Sequence, residues 1–438
     1  MLKKEVELAV AAEAKPIQEI ASQIHSYAEP AFKEFKSSKL LADYLSARGF
    51  KVEFPFRNIP TAFRASWGVG APTIGMLGEY DALPGCGEKE GEWGHGCGHN
   101  LLGTAPAAGA VAAKAVMEKA GLRGRVVYYG CPAEETLAGK VYMARDGAFR
   151  DLSVALAWHP SPRTEVNHVG GAAMDSLVLE FFGRTAHAGG SPHLGRSALD
   201  GVILLDVAVN YLREHVRDNV RIHSVIRNGG EAPNVVPGYA KCWYFVRARN
   251  RAEVDEVRER LLACARGAAE ATGTEMKWER LTGVYDRLPN DALGSVLDRN
   301  LRLFGPPRAT RADRELVKSR LGLSGEFDDS IGTGSRTPSR ASSDETNVSW
   351  LVPFCRFQMA CYIKGTPSHH RHLTIQAALP FAGRGLLQSA KVFASTALDL
   401  FQNPAELRKV KAEFRKRTRG FEYDPLVGKT QKVPIDPP

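Results

Sequence analysis

The apolar positions of this chain follow two periods, and the change from one to the other divides it. The opening residues, MLKKEVELAVAAEAKPIQEIASQIHSYAEPAF, set charges among apolar positions as an amphipathic helix does, and Ile17 to Phe50 reads as helix closed by Gly49. Short apolar runs then alternate with helical segments. TAFRASWG, PTIGMLGEYDALPG, RVVYYGCPAEE and SVALAWHPSP read as strands, with LLGTAPAAGAVAAKAVMEKAG as an Ala-rich helix ending at Gly121. Strand and helix in alternation predict a parallel or mixed α/β sheet with helices on its faces.

The pattern changes near Gly170. AAMDSLVLEFFGRTAHA alternates as a strand, SALDGVILLDVAVNYLREHV is a long amphipathic helix, and RIHSVIRNGG and GYAKCWYFVRARN are strands. The helix AEVDEVRERLLACARGAAEATG and the strand-like TEMKWERLT complete an α+β unit of about one hundred residues. The α/β character returns after Gly283, so this unit reads as an insertion. The expected organisation is therefore residues 1–169 and 284–400 as two parts of one domain, 170–283 as the insert, and 401–438 as a basic tail. GEFDDSIGTGSRTPSRASSDE, rich in Gly, Ser, Thr and Asp, reads as a loop, and no internal repeat is found.

Composition narrows the class. The 438 residues are long enough for two domains, and the N-terminus carries too many charges for a signal peptide. No apolar run approaches the roughly 20 residues needed to span a bilayer, so no membrane partner is expected. Seven scattered cysteines, an odd number with no signal peptide, suit a reducing cytoplasm rather than a disulfide framework. The formal net charge of +9 is concentrated in the last stretch and in RATRADRELVKSR. No base-stacking motif accompanies it, so a solvated helix face and a basic tail are preferred to a nucleic-acid partner. A basic protein also attracts anionic small molecules.

The segment GEYDALPGCGEKEGEWGHGCGHN gathers ligand-type side chains among glycines. Cys97 and His99, two apart across one Gly, can point at one centre from a tight turn, and thiolate with imidazole suits Zn. A Gly-rich turn with a structural Cys explains the pair alone equally well. GHGCGHNLLG does not have the spacing of a dinucleotide loop. CPAEE closes the strand RVVYYG, and ligands of open α/β sheets gather at carboxyl ends of strands. There Glu134 and Glu135 can diverge, one to a metal and one to a water as general base. An isolated pair would be read as acids opening a helix. His159 follows another apolar strand, GTPSHHRHLT places His369, His370 and His372 after a further one, and Asp81 offers a carboxylate able to orient a ligand. Each is weak alone; their convergence on strand ends is what carries the metal reading. No G-x-S-x-G elbow is present, and Cys97 and His99 are too close in sequence to face each other for proton transfer.

With DALP, GHGCGHN, PAEE, AWHP, GRTAHAGGSPHLGRSA, APNVVPG and GTPSHH in this order, the chain resembles the metal-dependent amidohydrolases and carboxypeptidases of peptidase family M20, subfamily D. The likeness runs from the helix around His25 to about Ala394 and is strongest to the branch containing aminobenzoyl-glutamate hydrolase. It implies a mixed-sheet, phosphorylase/hydrolase-like catalytic domain with an inserted ferredoxin-like lid that dimerises. It further implies metal ligands at Cys97, His99, Glu135, His159 and His369, holding two Mn or Zn ions. Glu134 would be the general base acting on a metal-bridging water, with Asp81 orienting a ligand. His187 would stabilise the oxyanion, and Asn234 and Arg247 would meet the substrate. Two positions depart from the pattern: Glu79 stands where two-metal carboxypeptidases of the family carry a ligand His, and Asn100 replaces an Asp.

The expected reaction is hydrolysis of the C–N bond of an N-acyl or N-aroyl amino acid such as aminobenzoyl-glutamate, by a homodimer acting on a carboxylate-bearing small molecule. The alternative on the same fold is hydrolytic deamination of an aromatic amine. From another class, a non-catalytic scaffold or nucleic-acid binder would have no need of an intact Glu134.

Overall fold

Eleven strands form two sheets among the residues that the computed structural model describes, which are 2–168, 170–334 and 340–435. In chain order they are β1 (Lys51–Glu53), β2 (Phe63–Val69), β3 (Thr73–Glu79), β4 (Gly124–Cys131), β5 (Val154–Ser161), β6 (Glu165–Asn167), β7 (Ala173–Phe182), β8 (Arg221–Asn228), β9 (Tyr239–Ala248), β10 (Glu275–Val284) and β11 (Phe354–Ala360). The chain divides into two units. One comprises Met1–Val169, Leu288–Thr337 and Asn347–Asp424; the other comprises Gly170–Arg287, Pro338–Thr346 and Pro425–Pro438.

The first unit is built on a seven-stranded mixed sheet in the order β1-β2-β4-β3-β5-β11-β6. Its four central strands, β4, β3, β5 and β11, run parallel, so their carboxyl ends share one edge. That edge carries Cys131 and the PAEE turn, Glu79, His159 and the chain leading to His369. β3 is buried along its whole length, as a parallel strand covered on both faces must be.

The helix His99–Ala120 lies against this sheet, and its Ala and Gly content has a steric reason. A Cβ on Gly103 would stand 2.6 Å from the carbonyl oxygen of Glu79, and one on Gly109 would stand 2.6 Å from Phe393 Cβ of the helix Pro380–Gln402. The helix is thus clamped between sheet and second helix at distances only small residues allow. Pro106 interrupts it chemically, because a proline has no N–H to give the carbonyl of Leu102. Trp158 Nε1 donates to that carbonyl instead, at 3.1 Å. A helix defect is thereby satisfied by the residue next to His159, and it locks the helix to β5 near the strand ends.

The fold departs from the sequence pattern in the N-terminal helices. The helix expected from Ile17 to Phe50 is two helices, Ala14–Tyr27 and Phe35–Ser46. Ala28 is left-handed at φ 43, Pro30 cannot donate, and Glu29 accepts from the N–H groups of Lys36 and Ser37 to open the second helix. Apolar spacing continues across the break, which is why periodicity alone reads it as continuous. The turn brings Glu34 inward, and Glu34 is completely buried.

The second unit has the sheet order β10-β7-β9-β8, all antiparallel, with the helices Ala198–Leu212 and Arg251–Thr272 packed on it. Strand, helix, two strands, helix, strand is the ferredoxin-like arrangement. β9 alternates buried and half-buried residues along its length, which puts one face on the helices and leaves Trp243, Phe245 and Arg247 on the other. Buried Asp175 ties this unit together by accepting from Arg251 at 2.8 Å and Arg258 at 3.0 Å.

The stretch 325–345 has neither helix nor strand in its described residues before Glu345, only a bridge from Ile331 to Thr164; residues 335–339 lie outside the described part. The basic C-terminal segment contains the helix Pro404–Arg417, and its residues 436–438 also lie outside. No helix among the described residues is long and apolar enough to cross a membrane.

Because the helix His99–Ala120 meets β3 at Gly103 with no room for a methyl group, Gly103→Ala should destabilise the first unit by about 1–3 kcal/mol. Urea melts of the two proteins would check this, and equal midpoints would contradict the close-approach argument.

Candidate metal centre

Four segments bring their side chains together at the carboxyl edge of the seven-stranded sheet. In the first, Gly98 adopts φ 78, and a Cβ there would lie 2.7 Å from Pro160 Cγ, so glycine permits the turn that separates Cys97 from His99. Cys97 Sγ then stands 3.3 Å from His159 Nε2 on β5, and Cys97, His99 and His159 offer donor atoms all within 4.8 Å of one another. His159 Nδ1 lies 2.6 Å from the Pro160 carbonyl oxygen and donates to it, which leaves Nε2 to face Cys97 as an acceptor.

The fourth segment is docked by backbone. His369 N donates to Gly96 O at 2.9 Å, which fixes the SHH turn on the glycine loop beside Cys97. His369 sits at φ 55, with Nε2 3.4 Å from Glu135 Oε2, and it groups with Cys97 and Glu135. The neighbouring His370 is used otherwise: its Nδ1 accepts from His372 N and caps the helix Arg371–Ala377. Of the two adjacent histidines, the fold brings His369 to the cluster.

The PAEE segment is shaped by two buried carboxylates. Ala133 is left-handed at φ 59 and its N–H is taken by Glu34 Oε1 at 2.8 Å, while Glu135 N–H is taken by Asp81 Oδ2 at 3.0 Å. Glu134 and Glu135 therefore open a single helical turn with both acids drawn inward. Asp81 Oδ1 also accepts from His99 Nδ1 at 2.8 Å, so one carboxylate orients both a ring and a backbone.

That bond takes the Nδ1 proton, so in the neutral ring Nε2 is the acceptor. Nε2 is buried and has no hydrogen-bond partner among the described residues. It faces Glu135 Oε1 at 3.5 Å, Glu79 Oε2 at 3.7 Å and Glu134 Oε2 at 3.9 Å. In the neutral ring that lone pair meets only acceptor oxygens outside contact distance among the described residues, and a cation between them would bridge ring and carboxylates. The thiol, imidazoles and carboxylates are the donor set of a transition-metal or zinc site, and they fit one.

Protonation equilibria report the same frustration. Burial, with Glu134, Asp81 and Glu79 nearby, pushes Glu135 up to about 8. Burial and Asp81 push Glu34 up to about 8. Burial and Glu135 push the Cys97 thiol up to about 12. For His99 burial opposes the charged ring, yet Glu135 and Asp81 outweigh it and hold its pKa well above the ordinary value. Without a metal the cluster therefore gathers protons.

The sequence pattern singles out neither Glu34 nor Lys140 at this centre, and marks Asn100 only as a departure from the family's Asp. Glu34 is the residue before the helix Phe35–Ser46, Lys140 is buried against Glu79, and Asn100 turns away from the cluster. Asn100 Nδ2 donates to the carbonyls of Ala21 and Ala377, at 3.4 and 3.2 Å. An aspartate could not donate there, which explains the amide. His187, Asn234 and Arg247 belong to the second unit. His187 Nδ1 accepts from Gly189 N and Gly190 N, so its proton is on Nε2. Asn234 is exposed in the loop before β9, and the Arg247 guanidinium lies 5.4 Å from the centroid of the Phe245 ring.

Comparisons with known proteins give consistent results. Residues 171–272 match the peptidase dimerisation domain. Over 95% of both chains the sequence is 35% identical to a p-aminobenzoyl-glutamate hydrolase chain of Escherichia coli. It is 31% identical to the Xaa-Arg dipeptidase of Mus musculus, over 90% of this chain and 88% of the other. Among solved structures, a dinuclear metal-binding peptidase of the M20 family from Bacillus subtilis superposes with a TM-score of 0.59 at 17% identity, covering 90% of this chain and 99% of that one.

The shifts set a pH dependence for the metal-free protein. Glu34 and Glu135 are raised on folding from 4.5 to about 8, so their contribution to stability is complete below about 4.5 and is lost as pH rises through about 8. His99, raised above 6.5, acts in the same direction. In chelator, the melting temperature should fall as pH rises from about 5 to about 8.5, and divalent metal should reduce that fall. Calorimetric scans across this range check the sign, and a metal-free protein that gains stability towards about pH 8.5 would contradict it.

Proposed function

The chain belongs to the M20 family of hydrolases and is an enzyme acting on amide bonds, and we propose that it cleaves an N-acyl or N-aroyl amino acid at the centre built from Cys97, His99, Glu135, His159 and His369. The observation that carries this reading is His99 Nε2, buried and unpartnered amid three carboxylates, with Cys97 and His159 beside it. Two ions, Zn or Mn, suit a donor set that divides into overlapping groups around Cys97 and His99. Bound there, a divalent metal supplies Lewis acidity that polarises a carbonyl and eases ionisation of water.

The protein's own groups do the rest. Glu134 stands at the rim of the cluster, its side chain 12% exposed, so it faces both the donor atoms and solvent. It takes the proton of the attacking water and returns it to the departing nitrogen as the C–N bond breaks, releasing an acid and an amine. Asp81 fixes the ring of His99 and the backbone of Glu135, so these two cannot swing apart when charge changes. By the family resemblance, His187 donates to the oxyanion through its Nε2–H, and Asn234 and Arg247 receive the carboxylate or carbonyl of the substrate.

The E. coli relative is named for p-aminobenzoyl-glutamate and the mouse relative for Xaa-Arg dipeptides. We take the first as the guide to substrate class because its identity and coverage are higher, and because a basic guanidinium such as Arg247 suits an acidic amino-acid moiety. The relatives' amide cleavages favour hydrolysis over deamination of an aromatic amine.

The second unit is proposed as a dimerisation lid. Ile203, Val207 and Tyr211 form a stripe at helical spacing on the helix Ala198–Leu212 and are 45–76% exposed, and Val225 and Ile226 are exposed on the edge strand β8. Apolar side chains grouped this way beside an open sheet edge suit a second copy of the chain. A cytoplasmic location is part of the same reading, since a thiolate ligand requires reduced Cys97.

Glu134→Ala should keep its metal and lose turnover of aminobenzoyl-glutamate by several orders of magnitude, whereas Cys97→Ala should lower metal content. Elemental analysis alongside an assay of released aminobenzoate separates the two, and substantial turnover in Glu134→Ala would refute the mechanism. Val207→Asp should shift the protein from dimer to monomer in light scattering, and an unchanged mass would remove this face as the interface.

A further inference from the structure

Lysine side chains normally carry their charge to water, and Lys140 does not. It is the second residue of the helix Gly139–Arg145 and is fully buried, with Nζ 2.5 Å from Glu79 Oε1. Its placement is built in. A Cβ on Gly139 would stand 2.0 Å from the carbonyl oxygen of Pro132, so glycine lets this helix start directly against the PAEE turn. That contact aims the next side chain into the sheet edge, where Glu79 closes β3.

Glu79 has two faces. Oε1 is held by Lys140, while Oε2 points to His99 Nε2 at 3.7 Å, and Glu79, His99 and Glu134 offer donor atoms within 4.8 Å of one another. The carboxylate thus stands between a fixed ammonium and the space the donor atoms surround. A buried ion pair with no further use is no more stabilising than apolar residues of the same volume, so burial alone does not account for it. Charge does. Glu79, Asp81, Glu134, Glu135 and a metal-bound Cys97 thiolate bring five negative charges to one buried place, and two divalent ions supply four positive ones. Lys140 supplies the fifth.

We propose that Lys140 is a positioning residue that shares Glu79 with the metal centre, holding Oε1 and leaving only Oε2 to one of two ions. The inference rests on the metal reading above. Glu79 then serves as a one-oxygen ligand kept from closing on the ion with both oxygens, and the ammonium moderates affinity for the neighbouring cation.

Metal titration of the full-length protein with Zn or Mn alone, with elemental analysis of the stoichiometry, tests this without any assay of turnover. The unmodified protein should bind two ions and Glu79→Gln one. Lys140→Met should still bind two, the weaker about tenfold more tightly or better, because a like charge is removed and Glu79 gains a free oxygen. A purely structural Lys140 would not tighten metal binding. If Lys140→Met fails to fold, the double variant Glu79→Gln/Lys140→Met, a neutral pair of similar shape, decides: one ion supports the proposal and two overturn it. Two ions bound by Glu79→Gln with unchanged affinity, or weaker binding by Lys140→Met, overturn it while leaving the metal reading intact. An unmodified protein that binds no ion overturns both.

Discussion

Repulsion among the acids packed around His99 is the constraint that the first unit is built to hold. Glu79, Asp81, Glu134 and Glu135 have side chains between 0 and 12% exposed, at the edge of a sheet that offers them little water. Such a set does not persist without compensation. The compensation comes from backbone N–H groups aimed at Asp81 and Glu34, from the ammonium of Lys140, and from protons on Glu135 and His99. The remaining imbalance is one that a divalent metal would correct.

Each major element of the unit can be traced to that edge. Parallel pairing of β4, β3, β5 and β11 aligns four carboxyl ends, so residues distant in sequence arrive together without a long loop. The helix that begins at His99 is rich in Ala and Gly because only small residues let it lie so close to β3 and the helix Pro380–Gln402. Trp158 repairs the gap left by Pro106 and so fixes the level of His159 against that helix. The broken N-terminal helix turns Glu34 inward to support the PAEE turn. In the second unit the ferredoxin-like fold serves a different end, presenting an apolar stripe on a helix and an open strand edge.

Much of this was legible in the chain before folding, for a physical reason. Strand ends are marked by the switch from apolar runs to glycines and polar residues, and ligand-type side chains set at those switches stand out. Cys97, His99, Glu135, His159 and His369 all carry that mark, and the structure gathers them. The supporting residues carry none. Glu34 meets Ala133 across 99 residues and Lys140 meets Glu79 across 61, contacts that no local period encodes. Nothing in the run of neighbouring residues singles out either one. The split of the helix at Ala28 was hidden for a related reason, since the apolar spacing runs through the turn and only Pro30 and a left-handed alanine interrupt it. Asn100 looked like a departure from a ligand pattern, and only the two carbonyls it meets show that its position calls for a donor.

X-ray absorption at the metal edge of the loaded protein tests the central claim most directly, because it reads the donor atoms themselves. The account predicts a shell of mixed oxygen and nitrogen with a single sulfur, at about 2.3 Å if the metal is zinc, which disappears in Cys97→Ser. A shell of oxygen and nitrogen alone in the unmodified protein, or a sulfur signal that survives that substitution, would contradict it.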